Sequence, residues 1–356
     1  MSDAAQPDPI RVPYERAEAF ARALLVSHGA DRDQATSIAE VLTWAHSRGG
    51  VTEGLWRLPI LCRRFADGLY QSPCRPRVQP LSPALVQIDC DGDQFGGSGP
   101  YLGQLAMSRA VERARDVGVA MVAVRGGSWF GAAGYYANQA AQADMFGLAM
   151  SNSVSKVTPV GGAERVLGTN PIAFAAPRQD QPALLFDTAT SATAGSIVSL
   201  HEQLGRPLPP DVAVDRAGQP TRDARDVSAG GALLPFGGAK GFGIGLLVEI
   251  LAGVLTGAGI AREVRSLHHD LDRASNSGFC LIAVDISRFM TVGEFSARLE
   301  TLAGYILGAG DDVRLPGQRA WAEHAYSREH GVAIDDDTRA KLAAQAAPHQ
   351  LAVPWG

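Results

Sequence analysis

Residues 231–259, GALLPFGGAKGFGIGLLVEILAGVLTGAG, decide how this chain is read. The part from 241 to 260, GFGIGLLVEILAGVLTGAGI, is its most apolar stretch and is long enough to raise the question of a membrane span. Its six glycines, the central Glu249 and the lack of basic flanks or aromatic belts predict a buried core helix instead. The turn that feeds it, GGAKGFGIG (237–245), is glycine-rich where a dinucleotide-binding chain commonly carries GxGxxG. The spacing does not fit, and GGSGPYLG (96–103) does not fit either. No Walker A, HExxH or GxSxG pattern occurs anywhere.

Outward from this stretch the texture divides. Toward the N-terminus, YERAEAFARALLVSHGA (14–30), DRDQATSIAEVLTWAH (31–46) and LWRLPILCRRFADGLY (55–70) carry apolar residues at helical spacing. The proline-rich QSPCRPRVQPLSPA (71–84) reads as a boundary. Beyond it, strand candidates ALVQID, VAMVAVRG, FGLAMSNS, NPIAFAAP, ALLFDTAT and FCLIAVDI alternate with helical patterns. The tail from DDVRLPGQRAW onward is charged and helical. The expected fold class is α/β, with a helical domain (1–80, joined by helices in 290–356) and an α/β domain with a central sheet (81–289).

Bulk properties narrow the function classes. Hydrophobic residues make up 46% of the 356 positions and charged residues 19%, enough for a sizeable core and against global disorder. The net charge of −5 is dispersed, and no basic run or aromatic–basic ladder points to nucleic acid or an anionic membrane. Cys62, Cys74, Cys90 and Cys280 are widely spaced with no CxxC pair, so reduced thiols are expected rather than disulfides or zinc. The start, MSDAAQPDPIRVPYERAEAF, lacks a signal-peptide pattern, and a cytoplasmic protein is expected.

Several unusual stretches go further. These are WFGAAGYY (129–136), GTNPIAFAAP (168–177), FDTATSATAG (186–195), the 231–259 stretch and RLPGQR (314–319). In this order they resemble a family of NAD(P)H-dependent oxidoreductases. It includes the non-Rossmann malate and L-lactate dehydrogenases, ureidoglycolate dehydrogenase, sulfolactate dehydrogenase and Δ1-piperideine-2-carboxylate reductase. The resemblance runs over essentially the whole chain. It implies a non-Rossmann, mixed and largely antiparallel central sheet, a helical domain built from both chain ends, and a homodimer with its site near the subunit interface. It also implies a small carboxylate substrate and a nicotinamide cofactor, NADPH with NADH as the alternative.

The resemblance further implies which residues hold the cofactor. They are Asp187, Thr188 and Ala189; Ala239 and Lys240; Arg314, Pro316, Gly317 and Arg319; and the turn Trp129, Phe130, Gly131, Ala132 and Ala133. Lys240 and Arg314 suit phosphate charge, and glycines let backbone N–H groups approach it. The alternative is that Lys240 is a solvated surface lysine and the glycines serve only turns. Arg57, in GLWRLP, matches an arginine that binds the substrate carboxylate, a role its planar fork suits; the alternative is a surface arginine on a helix. Thr169 matches a substrate-contacting threonine, and Asn170 has similar standing; a turn-capping threonine is the alternative. A third polar position falls near Ser196, where the chain runs one residue shorter.

The departures bear on chemistry. The family's Ser–His pair falls on Thr52 and Glu53, and its second signature histidine on Trp129. Hydride transfer to a 2-oxo acid develops an alkoxide and needs an acid, typically worth about 10²–10⁴-fold. An iminium arrives protonated, and hydride delivery neutralises it. Glu53 suits an iminium or amine, and Trp129 offers a face for a cation–π contact of about 0.5–2 kcal/mol. The expectation is therefore reduction of a C=N bond in a cyclic imino acid, in a specialised biosynthetic setting. Three alternatives stand. The chain is a 2-oxo acid/2-hydroxy acid dehydrogenase with Glu53 as its acid, if burial raises the Glu53 pKa; His46 substitutes for the lost donor; or the chain is a non-catalytic dinucleotide-binding paralogue.

Overall fold

The computed structural model describes residues 10–90 and 96–355. The chain groups into two units, Met1–Gly68 with Arg319–Gly356, and Leu69–Gln318.

The first unit begins with β1 (Ile10–Val12), α1 (Tyr14–Ser27) and α2 (Arg32–Ser47). Asp31 starts α2 by accepting from the backbone N–H groups of Asp33 and Gln34, two donors that a helix start otherwise leaves unmet. Two tight 3₁₀ turns follow, Val51–Glu53 and Leu55–Arg57, and then α3 (Leu58–Ala66). Pro59 stands in the first turn of α3, where its missing N–H costs nothing.

The second unit runs β2 (Arg77–Ser82), β3 (Leu85–Asp89), α4 (Gly99–Val117), β4 (Val119–Gly127), α5 (Ala133–Ala141), β5 (Met145–Ser151), β6 (Ile172–Ala176) and β7 (Leu184–Thr188). It continues through α6 (Gly195–Gln203), β8 (Ala213–Val214), α7 (Ala224–Ser228), β9 (Ala232–Leu233), α8 (Ala239–Val248), β10 (Ser277–Asp285) and α9 (Val292–Leu307). Seven strands form one sheet in the order β2-β3-β4-β10-β5-β6-β7. Among the described strands of this sheet only the β3–β4 pair is parallel. The expected mixed, largely antiparallel sheet is thus present. Its parallel pair, β3–β4, is joined through α4, and the segment that opens α4, GGSGPYLG, lacks the GxGxxG spacing of a dinucleotide-binding turn.

The ring of Phe279, on one face of β10, lies 4.4 Å from that of Phe130, which in turn lies 4.6 Å from that of Tyr136 of α5. Cys280, on the other face, packs with Val248 and Ala252. The sheet therefore lies between α5 on one side and α8 with its continuation on the other. The proline-rich boundary of the sequence contains β2, with Pro80 inside it. A proline is tolerated there because β2 is an edge strand and needs ladder bonds on one side only.

The chain closes with α10 (Gln318–His330), β11 (Val332–Ile334) and α11 (Asp336–Ala346). β11 pairs antiparallel with β1, Val12 opposite Val332, so the two chain ends build one helical unit.

The apolar stretch corrects its sequence reading in one respect. α8 continues into a π-helical segment, Glu249–Val254. Its inner face is buried as expected, through Gly241, Gly245, Val248 and Ala252. Its outer face leaves Leu246, Leu247, Ile250, Val254 and Leu255 exposed, Leu255 at 59%. A helix that is apolar all round can bury only the side that meets the sheet. No helix among the described residues is long and apolar enough to cross a membrane.

Candidate functional site

In the first unit, Thr52, Glu53 and Arg57 lie on the consecutive 3₁₀ turns between α2 and α3. Gly54 lets the turns press against α2, since a Cβ there would stand 2.5 Å from that of His46. The Thr52 hydroxyl donates to Glu53 Oε1 at 3.5 Å. Burial pushes the Glu53 carboxyl above its ordinary range, outweighing the opposing pull of the Arg57 guanidinium and of the Thr52 hydroxyl. Part of the side chain stays exposed, so water tempers the shift. The Arg57 guanidinium lies 4.9 Å from the Trp56 ring centroid.

His46 is committed elsewhere. The Leu55 N–H donates to its Nδ1 at 3.1 Å, and its Nε2 lies 2.8 Å from the Ala333 carbonyl. Only the neutral ring with hydrogen on Nε2 satisfies both, and burial lowers its pKa accordingly. With both nitrogens engaged, His46 has no proton to supply.

In the second unit three sequence motifs converge where β6 begins and β7 ends. The Thr190 N–H and hydroxyl donate to the Thr169 carbonyl at 2.8 and 3.1 Å. The Phe236 N–H donates to the Thr190 carbonyl at 3.1 Å, and the Ala192 N–H to that of Leu234 at 2.8 Å. The 168–171, 187–191 and 235–240 segments are thereby tied into one rim. Gly237 and Gly238 carry φ values of 55° and 65°, the left-handed region that glycine enters freely. α8 starts directly after them with no side-chain cap, and Ala239 and Lys240 are exposed at its first turn.

Two more implied segments join the same edge. Asp187 Oδ2 accepts from the Gly134 N–H at 2.7 Å, tying β7 to the first turn of α5 and to the Trp129–Ala133 segment before it. Gly317, at φ 79°, lies on β7, where a Cβ would stand 2.6 Å from the Leu185 carbonyl. Arg314 and Pro316 are exposed beside Gly317, whereas Arg319 is an exposed residue of the first unit. Phe130, Ala132 and Ala133 are buried, while Trp129 and Gly131 are half-buried.

The substrate candidates divide. Asn170 is fully buried, with φ 32°. Its amide donates to Glu249 Oε2 at 2.7 Å and to the Gly245 carbonyl at 3.0 Å, and its Oδ1 accepts from the Ser153 N–H at 3.1 Å. Glu249 Oε1 takes the Ala261 N–H at 2.7 Å and the Asn152 amide at 3.3 Å. Asn170 is therefore a brace, and the carboxylate that looked out of place in an apolar helix is its anchor. Thr169 is half-buried, its hydroxyl 3.3 Å from that of Ser153. Ser196, also half-buried, opens α6. The sequence reading missed Lys156, whose ammonium would stand 2.5 Å from a Cβ on Gly195. Its only signal was a polar cluster, SNSVSK, directly after a strand. His268 and His269 are exposed, and no metal-ligating group occurs among the described residues.

Comparison with known proteins places this geometry. The malate/L-lactate dehydrogenase family model matches residues 12–343. A malate dehydrogenase of Pyrococcus abyssi is 35% identical over 306 residues, 83% of this chain and 82% of that protein. A Δ1-pyrroline-2-carboxylate/Δ1-piperideine-2-carboxylate reductase of Pseudomonas syringae pv. tomato is 36% identical over 325 residues, 91% of this chain and 92% of that protein. The crystal structure of the Δ1-piperideine-2-carboxylate reductase from P. syringae superposes with a TM-score of 0.86 at 34% identity, covering 95% of this chain and 100% of that one.

Proposed function

Because the chain belongs to the malate/L-lactate dehydrogenase family and is an oxidoreductase, we propose that it reduces the C=N bond of a small cyclic imino acid. The observation that carries this reading is the Glu53–Arg57 set, an acid and a guanidinium four positions apart on consecutive turns. A cyclic imino acid carries a carboxylate and a basic nitrogen close together. Arg57 pairs with the carboxylate through two parallel N–H···O bonds. Glu53, whose pKa burial raises, is the proposed partner of the substrate nitrogen, as acid to the imine and as carboxylate beside the iminium. The positions of proton donor and electrostatic partner are then filled by one side chain.

The second unit's rim fits a nicotinamide dinucleotide. The uncapped first turn of α8, with Lys240 beside it, offers backbone N–H groups and a cation to phosphate. Asp187 already satisfies the Gly134 N–H, so the start of α5 is unsuited to a second anion. What it offers is a carboxylate acceptor for a ribose hydroxyl. The cofactor, NADPH or NADH, supplies a hydride to the substrate carbon. In the second unit, Trp129 and the Arg314–Gly317 segment complete the proposed cofactor set.

The decisive measurement follows NADPH and NADH absorbance with a panel of cyclic imino acids and 2-oxo acids. Turnover of imino acids above 2-oxo acids is expected. Preference for 2-oxo acids overturns the C=N reading, and tight dinucleotide binding without turnover on any substrate overturns catalysis.

We also propose a homodimer, on the strength of the exposed outer face of α8 and its continuation. Five exposed leucine, isoleucine and valine side chains there form one apolar stripe, which a soluble protein covers with a partner. Sedimentation is expected to give a dimer for the native chain and a monomer for the Leu247→Glu, Ile250→Glu double variant. A monomeric native chain would refute the assignment.

A further inference from the structure

Cys74 and Cys90 lie sixteen positions apart in sequence, yet their sulfurs are 3.4 Å apart in the interior of the second unit. The β2–β3 hairpin brings them together. Arg77 pairs with Asp89, so Cys74 shortly before β2 faces Cys90 directly after β3. The Cys90 N–H is held by the Arg125 carbonyl at 3.1 Å. Gly97 sits on the pair, for a Cβ there would meet the two sulfurs at 2.8 and 2.9 Å. The Gly97 N–H donates in turn to the Gly126 carbonyl at 3.2 Å. Two residues on, Gly99 lies under the Trp129 carbonyl, which a Cβ there would approach to 1.9 Å. A continuous line of close contacts thus runs from the sulfurs through 97–99 to the turn 126–130.

We propose that Cys74 and Cys90 are a reversible dithiol–disulfide site whose closure displaces the turn carrying Trp129. A disulfide bond is about 2.05 Å long, so the sulfurs must close by about 1.4 Å, and Gly97, packed so close that no Cβ fits between it and either sulfur, moves with them. The oxidant is a hydroperoxide. Two S–H bonds break and one S–S bond forms, and the two protons and two electrons pass to the peroxide, whose O–O bond breaks to give two hydroxyl-bearing products, water from each oxygen when the oxidant is hydrogen peroxide. A dithiol reductant reverses the step by exchange. Cys62 and Cys280 serve as internal controls. Each is buried, and burial pushes the Cys280 thiol up to about 12 and the Cys62 thiol higher still, so neither supplies thiolate near neutral pH.

The test uses the full-length protein treated with hydrogen peroxide, denatured in N-ethylmaleimide and mapped without reduction. The expected product joins the Cys74 and Cys90 peptides, is two hydrogens lighter than the pair, and disappears on dithiothreitol treatment, while Cys62 and Cys280 are recovered alkylated. Trp129 is the one tryptophan between residues 69 and 318, so its emission reports the turn. Oxidation is expected to change the emission reversibly in the native chain, and not in Cys90→Ser, Cys74→Ser or Trp129→Phe. Absence of the 74–90 product after peroxide treatment overturns the proposal. So does the 74–90 product with unchanged Trp129 emission. Thermal melts of the reduced variants identify any that fail to fold, and the two single serine variants substitute for each other in that event.

Discussion

Arg57→Leu is expected to lower kcat/KM for the imino acid by about 10²–10³-fold, a loss of about 3–4 kcal/mol in transition-state stabilisation. The loss falls mostly on KM. The substrate carboxylate keeps its charge through the reaction, so Arg57 holds ground state and transition state alike, and uniform binding sets KM rather than kcat. Arg57→Lys keeps the charge but not the planar fork, and an intermediate loss is expected. A second consequence follows from the neighbouring carboxyl. The Arg57 guanidinium pulls the Glu53 pKa down against the effect of burial, so removing it leaves Glu53 higher still and moves the pH profile upward. Dinucleotide affinity, measured by fluorescence titration, should stay near that of the native chain, because the proposed cofactor residues of the rim belong to the second unit. An unchanged KM would show that the carboxylate is held elsewhere.

Glu53→Gln is expected to lower kcat by about 10²–10⁴-fold, the usual worth of a positioned acid. The sign of the pH dependence follows from the direction of the Glu53 shift. A carboxyl whose pKa is raised stays protonated above the ordinary carboxylate range of about 4.3 and loses its proton as the pH climbs through the raised value. Activity that needs this proton is present below that value and declines above it. In Glu53→Gln the decline assigned to Glu53 disappears, and only the ionisation of the imine itself remains in the profile. Comparison with a 2-oxo acid sharpens the result. A 2-oxo acid brings no proton of its own and its reduction develops an alkoxide, so that reduction should suffer more from the substitution than reduction of the imine. Equal losses on both substrates would mean that Glu53 serves position rather than proton supply.

Much of this was legible in the residues. The strands β3 to β7 and β10 stand out as short apolar runs, because a pleated strand between covered faces has nothing but apolar neighbours. The segments GTNP, DTATS and GGAKG were singled out as separate pieces, and the structure ties them together through Thr169, Thr190 and Phe236. β2 was hidden, because proline argues against a strand unless the strand is known to lie at an edge, and edge position belongs to the sheet as a whole. Asn170 looked like a substrate contact because a polar residue beside a candidate threonine carries no mark of burial. Its partner Glu249 lies 79 positions away. His46 was open as a proton donor for the same reason, since its donor partner Leu55 and acceptor partner Ala333 cannot be paired from spacing.

The stretch 231–259 contains both outcomes. Its glycines, its lysine and its apolar run by themselves determined a glycine-rich turn without GxGxxG spacing that feeds a helix. Those are local properties, set by backbone freedom, charge and periodicity within a few residues. Which face of that helix meets the sheet, why a glutamate sits in its middle, and which stripe remains exposed were decided only by the tertiary structure. Burial and hydrogen-bond satisfaction depend on what the rest of the chain brings alongside, and no window along the sequence contains that information.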